Sequence, residues 1–292
     1  MPELPEVETI RRGLAALSLE AKVESVWRSD FELRTGAAWR RADEDLGRLR
    51  GATPMGFDRR GKFLLWHFDG SRRGRSEPST LLIHLGMSGR VAVHPAGTRR
   101  VAHTHLSLSF ADGRRFDFVD PRRFGGLRCG SRDELPARPP LAGLGPEPFS
   151  ADFNLAHLEE TAARSRRALR ELLLDQRVVA GVGNIYASEI CWHARLHPLV
   201  AGRRLRPSAW ARVIDATRFV LEGAISRGGT TLRDYRDATG REGQNQLALA
   251  VYGRGGENCV NCAEPLLAYV HQARSGVLCP RCQARPRGRW AP

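Results

Sequence analysis

Two cysteine pairs lie near the end of the chain, Cys259-x-x-Cys262 and Cys279-x-x-Cys282, with sixteen residues between them. Four thiolates at this spacing satisfy one tetrahedral zinc ion and leave no position open, so the metal they imply is structural. A redox pair or a chance arrangement is the competing reading, and two pairs at this distance favour metal. A second centre of chemistry is the start of the chain, Met1-Pro2-Glu3-Leu4-Pro5-Glu6. Removal of the initiator methionine leaves Pro2 with a secondary amine whose pKa lies well below that of lysine, partly neutral near pH 7. Such an amine can attack a sugar C1′ and form an imine, with Glu3 or Glu6 beside it to supply a proton. The same residues also suit an ordinary helix start, where carboxylates favour the macrodipole. Lys62 is a third hint. Of 46 basic residues only Lys22 and Lys62 are lysines, which leaves 44 arginines. Lysine is a compact point charge that can lose its proton, unlike arginine. Lys62 sits just before an apolar run, although Lys22 shows that lysines also occur by chance.

Two further segments suit contact with phosphate or bases. Gly181-Val182-Gly183-Asn184-Ile185-Tyr186 precedes a helical pattern. Asn184 is predicted to cap that helix, and the glycines let a phosphate approach free backbone N–H groups. A plain turn between helices reads the same way. Asp120-Pro121-Arg122-Arg123-Phe124-Gly125 sets arginines beside an aromatic ring. This suits a wedge entering a DNA stack, and a surface turn equally. His103-x-His105 falls on one face of a predicted strand, but no third ligand accompanies it. The two read as hydrogen-bonded polar histidines rather than a metal pair.

A net charge of +14 points to a partner of dense negative charge, nucleic acid first. Codon bias explains arginine over lysine but not the excess over acidic residues. Hydrophobic content of 41% and charged content of 27% belong to a soluble globular chain. Apolar runs such as Leu81-Leu82-Ile83 are too short to cross a bilayer. The start lacks a basic, apolar secretory pattern, so a cytoplasmic address is expected. In that compartment paired cysteines read as metal ligands rather than disulfides, and the lone Cys129 and Cys191 as buried thiols.

The positioning elements divide into two halves. A helix is predicted from Pro5, with Val7, Ile10 and Leu14 at helical spacing. Residues 62–68 and the pair 106–110 and 115–119, turning at Asp112-Gly113, read as strands. Residues 131–153 are rich in proline and glycine and mark a linker. Beyond it Leu155, Leu158, Ala162, Leu169, Leu172 and Leu173 fit one helix face. Further helices are predicted from Asn184 and over 208–225. The expected division is 1–130, linker 131–153, helical domain 154–255, zinc module 256–283 and a basic tail 284–292. No internal repeat is visible.

Together these pieces resemble the bacterial formamidopyrimidine-DNA glycosylase family, which includes the endonuclease VIII-like enzymes. The resemblance runs from Pro2 to about Gln283. Its motifs are Pro2 to Thr9, Arg60-Gly61-Lys62, His84 to Gly89, Asp120 to Gly125, Leu144 to Pro148, Asp175-Gln176 with Gly181 to Tyr186, Val251 to Arg254, and the four cysteines. It implies an α+β two-domain clamp. One domain is a β-sandwich carrying the N-terminal helix. The other is helical, with a helix–two-turns–helix element and a zinc-finger hairpin, and damaged double-stranded DNA lies between them. It implies a bifunctional glycosylase and abasic-site lyase, monomeric, with one structural zinc and no redox cofactor. Pro2 is similar to the family's nucleophile, Glu3 to its general acid, and Glu6 to its supporting carboxylate. Lys62 resembles the lysine that reaches the lesion and its phosphates. Met87, Arg122 and Phe124 match the residues that fill the gap left by a flipped base. Asn184 and Arg274 match backbone-phosphate clamps, Arg274 also standing with the catalytic set, and His103 a further phosphate contact. The arginine–phenylalanine segment implies oxidised purines as substrates, with Arg122 facing the orphan cytosine. The alternatives are the pyrimidine-specific endonuclease VIII-like branch and a non-catalytic damage-binding protein. Three departures stand out: Arg170 where a lysine is usual, Gly276 and Val277 in place of a polar–aromatic pair, and Gln244, Asn245 and Gln246 where an aromatic often appears.

Overall fold

The computed structural model describes residues 1–31, 33, 43–72, 75–76, 78–163, 165–231 and 242–284. Part of the arginine-rich stretch 71–79, most of the loop 230–247 and nearly all of the basic tail fall outside these residues. The chain divides into two compact units, 1–143 with 227–246, and 144–226 with 247–292. Residues 227–246 thus return to the first unit, where the sequence reading had left them in the helical domain. Tertiary hydrogen bonds hold them there, foremost the Thr230 N–H on the Glu6 carboxylate at 2.7 Å.

In the first unit, α1 (Leu4–Ala16) buries Leu4, Val7, Ile10 and Leu14 along one stripe, with a proline in its first turn and Glu3 as N-cap. Twelve strands occur among the described residues. Ten belong to this unit: β1 (Val23–Arg28), β2 (Thr53–Arg60), β3 (Phe63–Asp69), β4 (Ser71–Arg72), β5 (Arg75–Ser76), β6 (Ser79–His84), β7 (Arg90–Pro95), β8 (Thr104–Phe110), β9 (Arg114–Val119) and β10 (Gly126–Ser131). Two four-stranded sheets form, in the orders β1-β8-β9-β7 and β10-β6-β3-β2. Their pairings are antiparallel throughout. Their inner faces share one core with α1, so the arrangement is a sandwich. Trp66 is its centre, with the rings of Phe57, Phe68, Phe110 and Phe116 at 4.7–5.8 Å. Burying each such ring contributes about 1.5–3 kcal/mol. Glu8 fastens α1 to β2 through Arg59 at 3.2 Å. Burial opposes its charge, but hydrogen bonds from Arg11 and Arg12 hold its carboxyl down at about 2.

The second unit holds α2 (Leu155–Ala163), α3 (Leu169–Leu174), α4 (Asn184–His193), α5 (Pro207–Ser226) and the hairpin β11 (Leu267–His271) with β12 (Arg274–Leu278). The apolar face expected over 155–173 is two helices rather than one. The chain turns between them so that Leu169 N–H reaches the Val200 carbonyl at 2.7 Å and Gly202 N–H the Arg167 carbonyl at 2.9 Å. In α4 every residue from Ile185 to Cys191 is buried, which makes it the central helix of the unit. Gly183, not Asn184, is its N-cap, and no side chain caps it. Asn184 already has helical backbone, which frees its amide for tertiary contacts. No helix among the described residues is long and apolar enough to cross a membrane.

Candidate active site and nucleic-acid interface

Pro2 is buried, while Met1 before it is 54% exposed. Glu3 is in extended backbone just ahead of α1, and its N–H donates to Glu6 Oε2 at 2.8 Å. The other oxygen of Glu6 accepts the Thr230 N–H. A Cβ on Gly229 would lie 3.0 Å from Glu6 Oε1, and Gly229 has a φ of +81°, so this crossing requires glycine. Glu6 thereby fixes the backbone on which Pro2 and Glu3 sit. Asn245 and Gln246, the polar departures noted above, close the same segment. Asn245 donates to Thr230 Oγ1 at 2.8 Å, and Gln246 accepts the Thr231 N–H at 3.1 Å.

Lys62 is buried in the turn between β2 and β3, after Gly61 with its φ of +56°. Burial and the charge of Lys62 push His84, at the end of β6, down to about 4 against a weaker pull from Asp120. His84 Nδ1 accepts the Gly86 N–H at 3.3 Å, which leaves the proton of the neutral ring on Nε2.

Met87 and Phe124 are 42% and 38% exposed, and the guanidinium of Arg122 lies 5.0 Å over the Phe124 ring. Asp120 joins the two loops that carry them. Its Oδ1 accepts from the Ser88 hydroxyl at 2.6 Å and Arg122 N–H at 3.3 Å, and its Oδ2 from Gly125 N–H at 2.6 Å. The loops also touch backbone to backbone, since a Cβ on Gly86 would meet Phe124 C at 2.3 Å. His103 is exposed but stands ahead of β8 with a φ of +66°, so it does not share a strand face with His105. His105 is buried between the Ser29 hydroxyl at 2.9 Å and the Asp120 carbonyl at 3.0 Å.

In the second unit, Gln176 shapes the loop before α4, accepting the Gly181 N–H at 2.9 Å and donating to the Val182 carbonyl at 2.8 Å. Asn184 Nδ2 donates to the Ser275 carbonyl at 3.3 Å, next to the exposed Arg274. Between β11 and β12 the turn residues Gln272 and Ala273 have φ of +48° and +58°, the left-handed pair of a tight hairpin turn. The Sγ atoms of Cys259, Cys262, Cys279 and Cys282 all lie within 4.8 Å of one another. Closest pairs are 3.4–3.9 Å. A tetrahedron with metal–sulfur bonds of about 2.3 Å has edges of about 3.8 Å, so the donor set fits a metal ion. This is the one such group of His, Cys and acidic side chains among the described residues. Cys129 and Cys191 are buried and apart from it.

Sequence reasoning missed the residues that hold these loops. Asp120 was read only as part of a turn, Ser88 and His84 only as motif letters. Glu189 and Gln283 were not considered. Glu189 accepts N–H groups of Ala250, Val251 and Tyr252 at 2.8–2.9 Å, and Gln283 bridges the Cys279 N–H and the Leu196 carbonyl, both at 2.9 Å. The partners of Glu189 lie 61–63 residues on and Leu196 lies 87 residues before Gln283, so no local signal marks these bonds.

Residues 1–127 match the family model described as Formamidopyrimidine-DNA glycosylase N-terminal domain, and residues 144–236 that described as Formamidopyrimidine-DNA glycosylase H2TH domain. A Formamidopyrimidine-DNA glycosylase of Syntrophotalea carbinolica is 41% identical over 284 residues, 97% of this chain and 100% of that protein. A Lactococcus lactis Fpg variant in complex with Fapy-dG containing DNA superposes with a TM-score of 0.85 at 32% identity, over 97% of this chain and 100% of that one. A MutM structure in complex with carbocyclic 8-oxo-G containing DNA gives 0.84 at 31% identity, with the same shares.

Proposed function

The chain belongs to the formamidopyrimidine-DNA glycosylase family, and on that premise we propose that it excises oxidised purines from damaged duplex DNA by way of Pro2 and cleaves the strand there. The observation that carries this reading is Glu6, whose two oxygens hold Glu3 N–H and Thr230 N–H and so set the chain start in one place. Met1 must be removed, because an amide nitrogen has no lone pair for attack. The Pro2 amine then displaces the damaged base from C1′. The amine loses its proton as the base leaves, Glu3 gives a proton to the opening sugar at its ring oxygen, and an iminium, the cationic form of an imine, joins Pro2 to the sugar. Successive eliminations expel the phosphates on either side of the lost nucleoside. Lys62 contacts the lesion and its phosphates as a point charge. Met87, Arg122 and Phe124 fill the gap left by the flipped nucleotide, whose unstacking costs a few kcal/mol, and Arg122 faces the orphan cytosine. Asn184, Arg274 and His103 take backbone phosphates, which position the duplex without reading it.

The four cysteines hold zinc. When bound, the ion supplies no reaction chemistry and fixes the hairpin that carries Arg274.

The test is incubation of the purified protein with duplexes carrying 8-oxoguanine, thymine glycol or an abasic site, with borohydride present. Strand cleavage at 8-oxoguanine, faster opposite cytosine than adenine, and a trapped adduct mapping to Pro2 are expected. Normal trapping in a Pro2-blocked chain, lost only in Lys62→Ala, would move the nucleophile from Pro2 to Lys62. Cleavage confined to thymine glycol would place the chain in the pyrimidine-specific branch. No cleavage of any duplex would leave a damage-binding protein.

A further inference from the structure

Two of the departures from the family pattern meet in one place. Arg170 on α3 is 1% exposed, among the most deeply buried large side chains in the chain. One of its terminal nitrogens, Nη2, donates to Asn184 Oδ1 on α4 and also to the Ser275 carbonyl on β12, the latter at 2.5 Å. Its guanidinium carbon sits 5.6 Å from the centre of the Tyr269 ring on β11. Tyr269 is the register partner of Gly276, and a Cβ at Gly276 would lie 2.5 Å from Tyr269 Cζ. The tyrosine therefore occupies space that any larger residue at 276 would need. The phenol is pushed above its usual pKa by burial, and the nearby Cys191 thiol is pushed by burial up to about 12, so neither offers Arg170 a negative charge.

Among the described residues the polar partners of Arg170 are an amide oxygen and a carbonyl, and none is a carboxylate. A buried cation without a counter-ion is costly, and such groups are ordinarily paired. Arginine is also a donor only, so it fixes the orientation of the Asn184 amide. With Oδ1 taken by the guanidinium and one N–H on the Ser275 carbonyl, the remaining Nδ2 proton is left to point outward as a donor.

We infer that Arg170 is a positioning residue for DNA binding: it locks Asn184 to the strand that carries Arg274, and the phosphate these two residues take is its counter-ion. The inference rests on reading Asn184 and Arg274 as backbone contacts. On this account Arg170, Tyr269 and Gly276 pack as one unit: the planar cation lies over the aromatic ring, and the ring takes the space that a larger residue at 276 would fill.

The test is the affinity of the zinc-loaded protein for an abasic-site duplex across a range of salt concentrations, with zinc content and melting temperature confirming the fold of each variant. Arg170→Gln is expected to weaken binding about ten-fold, the size of one charge-assisted contact. It should also flatten the log–log salt dependence by about 0.9, one counter-ion's worth. Arg170→Lys keeps the charge and should keep the slope. Asn184→Ala should weaken binding by itself and add little to Arg170→Gln. A weakened Arg170→Gln with a salt dependence parallel to the parent, or effects that multiply with Asn184→Ala, would overturn the inference and leave the phosphate reading intact. Full affinity in Asn184→Ala would overturn both. Should Arg170→Gln not fold, the lysine variant decides alone: an unchanged slope supports the inference and a flattened one sinks it.

Discussion

The loops of the first unit and the clamp of the second are held by buried groups of opposite sign. Asp120 is fully buried and gathers donors: the Ser88 hydroxyl and the N–H groups of Arg122 and Gly125. Arg170 is as deeply buried and gathers acceptors, the Asn184 amide oxygen and the Ser275 carbonyl. A carboxylate only accepts hydrogen bonds, whereas a guanidinium only donates them. The first arrangement therefore draws backbone N–H groups inward, and the second presents donors to an anion from outside, where salt competes. On the proposed function, the first region handles protons and a departing base as well as phosphates, and the second handles polyanionic backbone.

The largest test of this contrast is removal of the metal. Structural zinc supplies on the order of 10 kcal/mol of folding free energy to small modules. Chelation, verified by metal analysis, should abolish duplex binding in a gel-shift assay yet leave most of the helical circular dichroism. Undiminished binding by metal-free protein would break the link between the cysteines and the clamp. Next in size is Glu3→Gln, which should lower single-turnover excision by about 10²–10⁴-fold while duplex affinity holds. A matching loss of affinity would mean that the two regions do not divide chemistry from binding.

Asp120→Asn sharpens the comparison from the other side. It replaces an acceptor of three hydrogen bonds with a group that must also donate, at a cost of about 2–3 kcal/mol in denaturant melts. Excision of 8-oxoguanine should fall more than cleavage of a preformed abasic site, because the loops bearing Met87, Arg122 and Phe124 loosen. Equal losses on both substrates would remove the triad from the account. Acid acts on the first unit through His84 and Glu8. His84 is depressed from 6.5 to about 4 in the fold, so on acidification the unfolded chain takes up the proton first. Its contribution is complete above pH 6.5 and is lost as pH falls toward 4. Melting temperatures measured across that window should decline, and His84→Gln should flatten the decline. Below pH 4.5 Glu8, held at about 2, adds a second loss of the same sign. The smallest expected effect is in the hairpin turn. Gln272→Asn with Ala273→Gly suits two positive φ angles and should raise stability by about 0.5–1 kcal/mol, with the salt dependence of binding unchanged.

What could be read from the sequence was chemistry confined to a short stretch. Pro2, Glu3 and Glu6 lie within one turn of each other, the cysteine pairs declare a metal by spacing alone, and alternation marked the strands of the sandwich. Long-range partnerships carried no such mark. Arg170 and Ser275 are 105 residues apart, and Glu189 meets its N–H partners 61–63 residues on. Periodicity also misjudged backbone detail. Apolar spacing joined 155–163 to 168–173 as one face, but strand-like pairing of 167–169 with 200–202 separates two helices. Asn184 has the side chain of a cap, but Gly183 takes that position because the asparagine is engaged elsewhere.

The bond between Glu6 and Thr230 spans 224 residues. A ribosome adding about 5–20 residues per second delivers the second partner roughly 10–45 s after the first. Through that interval the nascent first unit holds a buried carboxylate whose bond to Thr230 is not yet made, and most of the second unit emerges before it can form. Folding of the N-terminal half is thus finished by chain made late. A fragment ending near Gly143, however well its sandwich forms, lacks the strap that fixes the chain start. Proteolysis or truncation between the two units leaves a half-molecule whose first few residues lack the bond from Thr230.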